Sequence, residues 1–251
     1  MIFITNAIIA EFIGVKIFSL EKTLGFSLLS LNLFGINKLS FQLTAGVLIW
    51  PVVFVLTDVI NEYFGKKGVL RLSYLAVVMI AYSFIVIFIA IHLVPADFWP
   101  TSHIDFLEDP SKKQALSQEV ANYNSAFSLV FGQGLRIIMA SIIAFLIGQI
   151  LDAFIFYRLK LWTGDKGIWL RATGSTLVSQ FFDSYIVLFI AFYFGANWPI
   201  SQVLAIGTVN YIYKICMAIG LTPIIYLIHF LIRQYLGKDL SDNLKHEALQ
   251  N

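Results

Sequence analysis

The sequence has a single cysteine in 251 residues, four histidines and six prolines, and charged residues make up only 13% of it. Each shortage excludes something. With Cys216 alone there is no disulfide framework and no cysteine-based metal site. His92, His103, His229 and His246 are scattered, without His-x-x-x-His or His-Glu-x-x-His spacing, and no Gly-x-Ser-x-Gly or Gly-x-x-x-x-Gly-Lys-Ser/Thr occurs. The chain therefore reads as no enzyme, with neither metal nor cofactor, and as unable to hydrolyse ATP itself. The formal net charge of +2 gives no basis for a nucleic-acid partner. A soluble domain carries about 25% charged residues, so this chain lacks the polar surface to coat a water-soluble body of its size. Met1 to Thr5 contain no basic segment and no small-residue cleavage site follows, so the first helix is expected to be retained.

What the chain has instead is apolar length. Hydrophobic residues make up 59%, and the mean hydropathy is +0.80. Apolar runs of about 20 residues, one bilayer crossing each, fall near 2–19, 43–62, 70–94, 127–157, 168–194 and 200–232. The expected fold is an all-α polytopic membrane protein with six transmembrane helices, a single domain over 1–237 and a polar, frayed cytoplasmic tail at 238–251. The fourth run is too long for one perpendicular span, so it is tilted or starts as an interfacial turn around Gly132 and Gly134. Residues 20–42, broken by Gly25, Asn32, Gly35 and Asn37, read as a hairpin-like or re-entrant segment between helices 1 and 2. Residues 95–124, with Pro95, Pro100 and Pro110, form an external loop with a short surface helix at 111–122.

Loop charges orient these spans. Lys66, Lys67, Arg71, Arg158, Lys160, Lys166, Arg171, Arg233, Lys238 and Lys245 fall on one side; Lys22, Lys38, Lys112 and Lys113 fall on the other, among most of the acidic loop residues. Both termini are therefore expected in the cytoplasm. Lys16, Arg136 and Lys214 fall within spans, as do Glu11, Asp58, Asp152 and Asp183, with Glu62 at a helix end.

An ionisable group in hydrocarbon costs roughly 2.5 to 3.5 kcal/mol on insertion scales, so such groups face a cavity or one another. Arg171, Ser175, Ser179 and Asp183 follow at i+4 steps and share one helix stripe, with Gln180 adjacent. Asp58, Asn61 and Glu62 repeat the pattern on span two, and Asn210, Tyr211 and Lys214 on span six, ahead of a kink at Pro223. Helical rise sets Arg136, Asp183 and Lys214 at mid-depth and Asp58 and Asp152 nearer the cytoplasmic ends, beside Arg171, which makes two polar layers around one cavity. The plain alternative for Arg136, Asp183 and Lys214 is a structural ion pair; for Asp58 and Glu62 it is pairing at the interface. Acids and bases mixed within one chain argue against a channel built from rings of like charge.

The run from Pro51 through Thr57, Asp58, Asn61 and Glu62 to Gly65, followed by Arg71, resembles the second-helix signature of the bacterial queuosine precursor transporters, within the vitamin uptake transporter group. Three further blocks resemble it in order: Arg136 to Ser141 with Gly148 to Asp152 and Phe156 to Lys160; Trp169 to Arg171 with Ser175, Thr176, Asp183 and Ile190 to Phe192; and Tyr211, Lys214 and Pro223. The resemblance covers roughly residues 43–232. It implies a six-helix importer in the bacterial inner membrane for 7-cyano- or 7-aminomethyl-7-deazaguanine, used in tRNA queuosine salvage. It also allows an energy-coupling ATPase as partner, and leaves open an importer or substrate-binding subunit for another vitamin or nucleobase that needs a separate ATPase module. In such a site Asp183 or Asp58 accepts the ring N1 hydrogen and the 2-amino group, Asn210 or Gln180 reads the remaining edge, Arg136 or Lys214 donates to the 6-oxo group, and Phe182 and Tyr211 stack.

Overall fold

The structure, a computed structural model, describes residues 1–250 apart from 103, 105, 107, 108, 121, 133, 134, 165 and 166; for 115, 117–120, 135 and 136 it describes the helix but not the side chains. Two compact units are present, one of residues 1–80 and 135–251 and one of residues 81–134.

The architecture is helical because a chain this apolar has to satisfy its backbone within each segment. In order come α1 (Ile2–Ile13), β1 (Ile17–Ser19), α2 (Leu20–Thr23), β2 (Leu31–Leu33), β3 (Ile36–Leu39), β4 (Gln42–Thr44), a 3-10 turn (Ala45–Leu48) and α3 (Trp50–Ile91). Then follow α4 (Trp99–Ser102), α5 (Pro110–Val120), α6 (Tyr123–Phe131), α7 (Leu135–Thr163), α8 (Ile168–Leu188) continued by a π-helical turn (Phe189–Phe194), α9 (Ile200–Leu236) and α10 (Lys238–Gln250). Among the described residues four helices, Trp50–Ile91, Ile137–Thr163, Ile168–Phe194 and Ile200–Leu236, are long and apolar enough to cross a membrane. Their outward faces carry side chains such as Phe64, Val78, Leu227 and Phe230, all exposed, the inverse of a water-soluble surface.

Helix α3 is broken at Gly65, whose φ of 69° and ψ of −178° lie outside helical space. Its arms are α3a (50–64) and α3b (66–91), and the start of α3b, up to Ser73, runs back alongside α3a. The hydroxyls of Thr57 and Ser73 both reach Gln149 Oε1, at 3.3 and 3.4 Å, so they lie within about 7 Å of each other, where an unbroken helix would hold them ~24 Å apart. The turn falls where the hydropathy pattern separates the second and third runs. Gly65 is needed twice: its positive φ strains any L side chain, and an added Cβ would collide with the Ala248 carbonyl oxygen of α10.

Three sequence expectations are corrected here. Helix α1 stops at Ile13 rather than near 19, because 17–19 pair antiparallel with 42–44 (Ile17 with Thr44, Ser19 with Gln42). Lys16 is consequently exposed and outside any helix; its carbonyl accepts from Ala45 N at 2.8 Å. The segment between α1 and α3 holds a β2–β3 hairpin, turned by Phe34 (φ 51°) and Gly35 (φ 79°), the paired positive φ of a tight hairpin turn. The run 127–157 is two helices, α6 and α7; Gly132 ends α6 with its N–H on Ser128 O, and Gly134 lies outside the described residues. The tail forms α10 rather than a frayed end: Ser241 and Ala248 are buried, Asp242 pairs with Arg233 at 3.5 Å, and Lys245 Nζ lies 5.6 Å over the Tyr63 ring.

Glu21 ties the ladders together. Oε1 accepts from Phe41 N at 2.7 Å and Oε2 from Ser19 Oγ at 3.0 Å. Burial works to raise its carboxyl pKa, but these accepted hydrogen bonds outweigh burial and hold it below the ordinary 4.5. Within the second unit, Trp99 meets Tyr123 and Phe127 edge-on at centroid distances of 5.0 and 5.8 Å. Asp109 Oδ1 caps α5 by accepting from Ser111 Oγ and Ser111 N, at 2.6 and 3.0 Å, which lowers its carboxyl pKa. That helix is the one expected near 111–122.

Two outcomes follow. Gly65→Ala should destabilise the detergent-solubilised protein by at least about 2 kcal/mol and expose α10 to proteolysis, whereas Gly25→Ala, whose Cβ meets nothing within 4 Å, should cost only the strain of about 1 kcal/mol; equal melting shifts for the two would contradict the packing role. Because the folded Glu21 carboxyl is the more acidic, its contribution is complete above pH 4.5 and fades as pH falls through the lower folded value. Hydrogen exchange at the Phe41 amide should accelerate there, and Glu21→Gln should abolish that acid dependence.

Candidate functional site

The polar residues that the sequence places inside spans come together as two clusters in the first unit, among α1, α3a, α7, α8 and α9.

The first lies near the Gly65 turn. Glu62 is 1% exposed and Arg171 0%. Arg171 Nη2 donates to Glu62 Oε1 at 2.8 Å, and its Nη1 donates to Gly164 O at 2.7 Å and Thr163 Oγ1 at 3.3 Å. One guanidinium thus joins α3a, the start of α8, and a hydroxyl and a carbonyl at the end of α7. Lys160 Nζ donates to the Glu62 backbone oxygen at 2.6 Å and lies 3.6 Å from Oε2. Lys160, read from sequence as a loop charge, is a buried partner; the signal was its place eleven residues before Arg171 at the end of an apolar run.

On α7, Asp152 Oδ1 accepts from Ser179 Oγ at 3.3 Å and Thr176 Oγ1 at 3.5 Å, and Oδ2 accepts from Asn61 Nδ2, next to Glu62, at 3.4 Å. Ser175 is buried on the same face of α8, its hydroxyl on Ala172 O at 3.2 Å. Asp58, 2% exposed, borders a cleft of about 200 Å³ lined by Phe54, Ala172, Thr176, Leu221 and Ile225 among others. Among the described residues its Oδ1 has no hydrogen-bond partner, and neither has Asn61 Oδ1.

The second cluster is built on Asp183 and Lys214, joined by a short ion pair of Lys214 Nζ with Asp183 Oδ2. Gly148 of α7 faces this pair: a Cβ there would make an ordinary contact, 3.6 Å from Asp183 Cβ. Beside it, Ser141 Oγ donates to the Glu11 carboxylate, at 2.7 and 2.8 Å to its two oxygens. Lys214 also borders a second cleft, of about 220 Å³, with Trp50, Pro51, Phe54 and Tyr213. Phe54 lines both clefts.

The structure therefore brings Asp58, Asn61, Glu62, Asp152, Arg171, Ser175 and Ser179 into one cluster and Asp183 and Lys214 into the other. Gln180 is buried and Asn210 half-buried, and neither hydrogen-bonds to these groups. Tyr211 is directed elsewhere, its hydroxyl on Leu177 O at 3.1 Å with Phe181 edge-on at 5.4 Å. Phe182 is 41% exposed and lines neither cleft. The Arg136 side chain lies outside the described residues. Trp50 and Tyr213 supply the cleft aromatics instead. Tyr213, Lys214 and Met217 stand at i, i+1 and i+4, a spacing that could have been read as one face.

Removing one partner of a buried ion pair strands the other charge and costs roughly 3 to 5 kcal/mol, while replacing both by apolar groups costs far less. Arg171→Met and Glu62→Met should therefore each lower stability in detergent by that amount, and the double variant by much less than their sum. Additive losses in a double-mutant cycle would refute the pairing.

The family profile described as putative vitamin uptake transporter matches residues 44–228. The chain is 26% identical over 208 residues to a probable queuosine precursor transporter of Bacillus subtilis (strain 168), covering 81% of this chain and 80% of that one. It is 29% identical over 184 residues to a probable queuosine precursor transporter of Haemophilus influenzae, covering 73% and 66%. To the queuosine precursor transporter of Escherichia coli (strain K12) it is 26% identical over 219 residues, covering 86% and 84%. No solved structure matches. With its long apolar helices, this chain is a multi-pass membrane protein that belongs to the putative vitamin uptake transporter family.

Proposed function

We propose that the protein imports a 7-deazaguanine precursor of queuosine, 7-cyano- or 7-aminomethyl-7-deazaguanine, across the bacterial inner membrane. The observation that carries this reading is the second cleft. A flat bicyclic ring is recognised by stacking on aromatic side chains, and Trp50 and Tyr213 border this cleft beside Lys214. Lys214 is a donor suited to the 6-oxo group, and Asp183, beside it, is an acceptor suited to N1–H and the 2-amino group together. The names of the three relatives agree with that substrate class.

The membrane arrangement in this reading has six crossings: α1, α3a, α3b, α7, α8 with its π turn, and α9. The reversal at Gly65 supports counting α3 as two. An even number returns both termini to one side, and Lys66, Arg71, Arg158 and Arg233 make that side the cytoplasm. A single-domain body over 1–237, with 238–251 on its cytoplasmic face, belongs to the same proposal.

The test is uptake of labelled 7-cyano-7-deazaguanine in a host that cannot make queuosine, scored as queuosine in tRNA. The chain should restore it, and should do so in a host lacking energy-coupling ATPases; restoration only with such a module would mark this chain as a substrate-binding subunit. Asp183→Asn removes an acceptor charge worth about 1.5 to 3 kcal/mol of hydrogen bonding, so uptake should fall roughly 10- to 100-fold, while the outward Phe182→Leu stays near the parent. Parental uptake by Asp183→Asn would remove that carboxylate from the site.

A further inference from the structure

The Gly65-end cluster holds more acid than base. Glu62, Asp58 and Asp152 are buried there, and among the described residues the bases that pair with them, Lys160 and Arg171, both do so at Glu62. The charges that act on Asp58 are those of Asp152 and Glu62, both of its own sign. On its α9 side the cleft offers only Ala218, Leu221 and Ile225. Two further bases among the described residues are placed on Tyr63: His229 Nδ1 lies 3.5 Å from its hydroxyl, and Lys245 Nζ of α10 lies over its ring. One negative charge is therefore in excess in a segment buried among apolar helices.

The hydrogen-bond inventory is lopsided in the same sense. Asp152 takes weak donors at 3.3 to 3.5 Å from Ser179, Thr176 and Asn61. The Asn61 amide is aimed at Asp152 through its Nδ2, yet its Oδ1, buried with the rest, receives no donor, and neither does Asp58 Oδ1. Acceptors outnumber donors and negative charge outnumbers positive, and one monovalent cation corrects both. A proton on either carboxyl supplies an O–H for an orphaned oxygen; a sodium ion supplies a centre for oxygen ligands. Glu62 cannot take that role, because its charge is already matched.

We infer that Asp58, Asp152 and Asn61 form a binding site for one monovalent cation, a proton or a sodium ion, which drives import from a position separate from the substrate cleft. The inference of a cation site stands on this cluster alone; its link to import rests on the transporter reading. Phe54 gives that link a physical route, since it lines the Asp58 cleft and the Lys214 cleft alike, so that occupancy on one side bears on the packing of the other.

The test uses the full chain in proteoliposomes. Without substrate, infrared difference spectra on changing pH, and separately on exchanging choline for sodium, should show a carboxyl signal that Asp58→Asn removes. With labelled 7-cyano-7-deazaguanine, an inward gradient of the effective cation should raise uptake at least fivefold. Asp58→Asn and Asp152→Asn should each lose at least tenfold of gradient-driven accumulation but less than threefold of substrate counterflow, which needs no driving ion. A response to pH alone identifies the proton and a response to sodium alone the metal ion. No carboxyl signal with either cation, or equal loss of counterflow and accumulation in the two variants, overturns the proposal. An intact carboxyl signal in a protein that shows no counterflow of the deazaguanine would instead refute the substrate and leave the cation site standing.

Discussion

The Glu62 carboxylate is the point on which the rest of the structure depends. A charge this deeply buried persists only with partners, and the partners come from two other helices: Arg171 from the start of α8, Lys160 from the end of α7, and through Arg171 the Thr163 and Gly164 oxygens that finish α7. The pairing therefore does what a hydrophobic contact cannot do among lipid tails. Between helices already in hydrocarbon there is little apolar area to gain, so polar groups with defined partners choose which helices meet and in what register.

Small and neutral residues extend that choice along the bundle. Gly65 turns α3 back on itself and gives α10 a backbone to sit against. Gln149 then collects Thr57 and Ser73 from the two arms, and Gly148, one residue before it, faces Asp183 of α8. At the α1 end, a Cβ on Gly46 would lie 2.7 Å from Ala10 O, so the turn before α3 is pressed against α1. The result is a scaffold in which, within one buried cluster, Glu62 is neutralised by Arg171 and Lys160, while Asp58 and Asp152 beside it are paired with no base among the described residues. A transporter needs that difference: a fixed part that holds the helices and a part whose charge state depends on what is bound.

Much of this is legible in the sequence because it depends on spacing within one helix. Arg171, Ser175 and Ser179 share a face whatever surrounds them, as do Asp58, Asn61 and Glu62, and a run of apolar residues is a span by length alone. The misreadings come where another segment decides. Residues 17–19 are as apolar as the helix before them, and only pairing with 42–44 makes them a strand. Residues 238–250 are polar enough to be a loose tail, and only the surface at Tyr63 and Gly65 gives their buried face a place. Lys160 looks like a solvated loop charge until Glu62 is found beside it.

The sequence by itself determined that this chain lives in a bilayer, that it carries more intramembrane acid than base, and which family it resembles, because composition, hydropathy and motif order are properties of the chain alone. Which acid takes which base was decided only by the tertiary structure. Asp183 pairs with Lys214 across 31 residues of sequence and Glu62 with Arg171 across 109; Asp58 is left with an orphaned oxygen, and Trp50 and Tyr213, rather than Phe182 and Tyr211, border the cleft. Helical periodicity gives each side chain a direction about its own axis, but the rotation and depth of one helix against the next are set by packing, and partners depend on both.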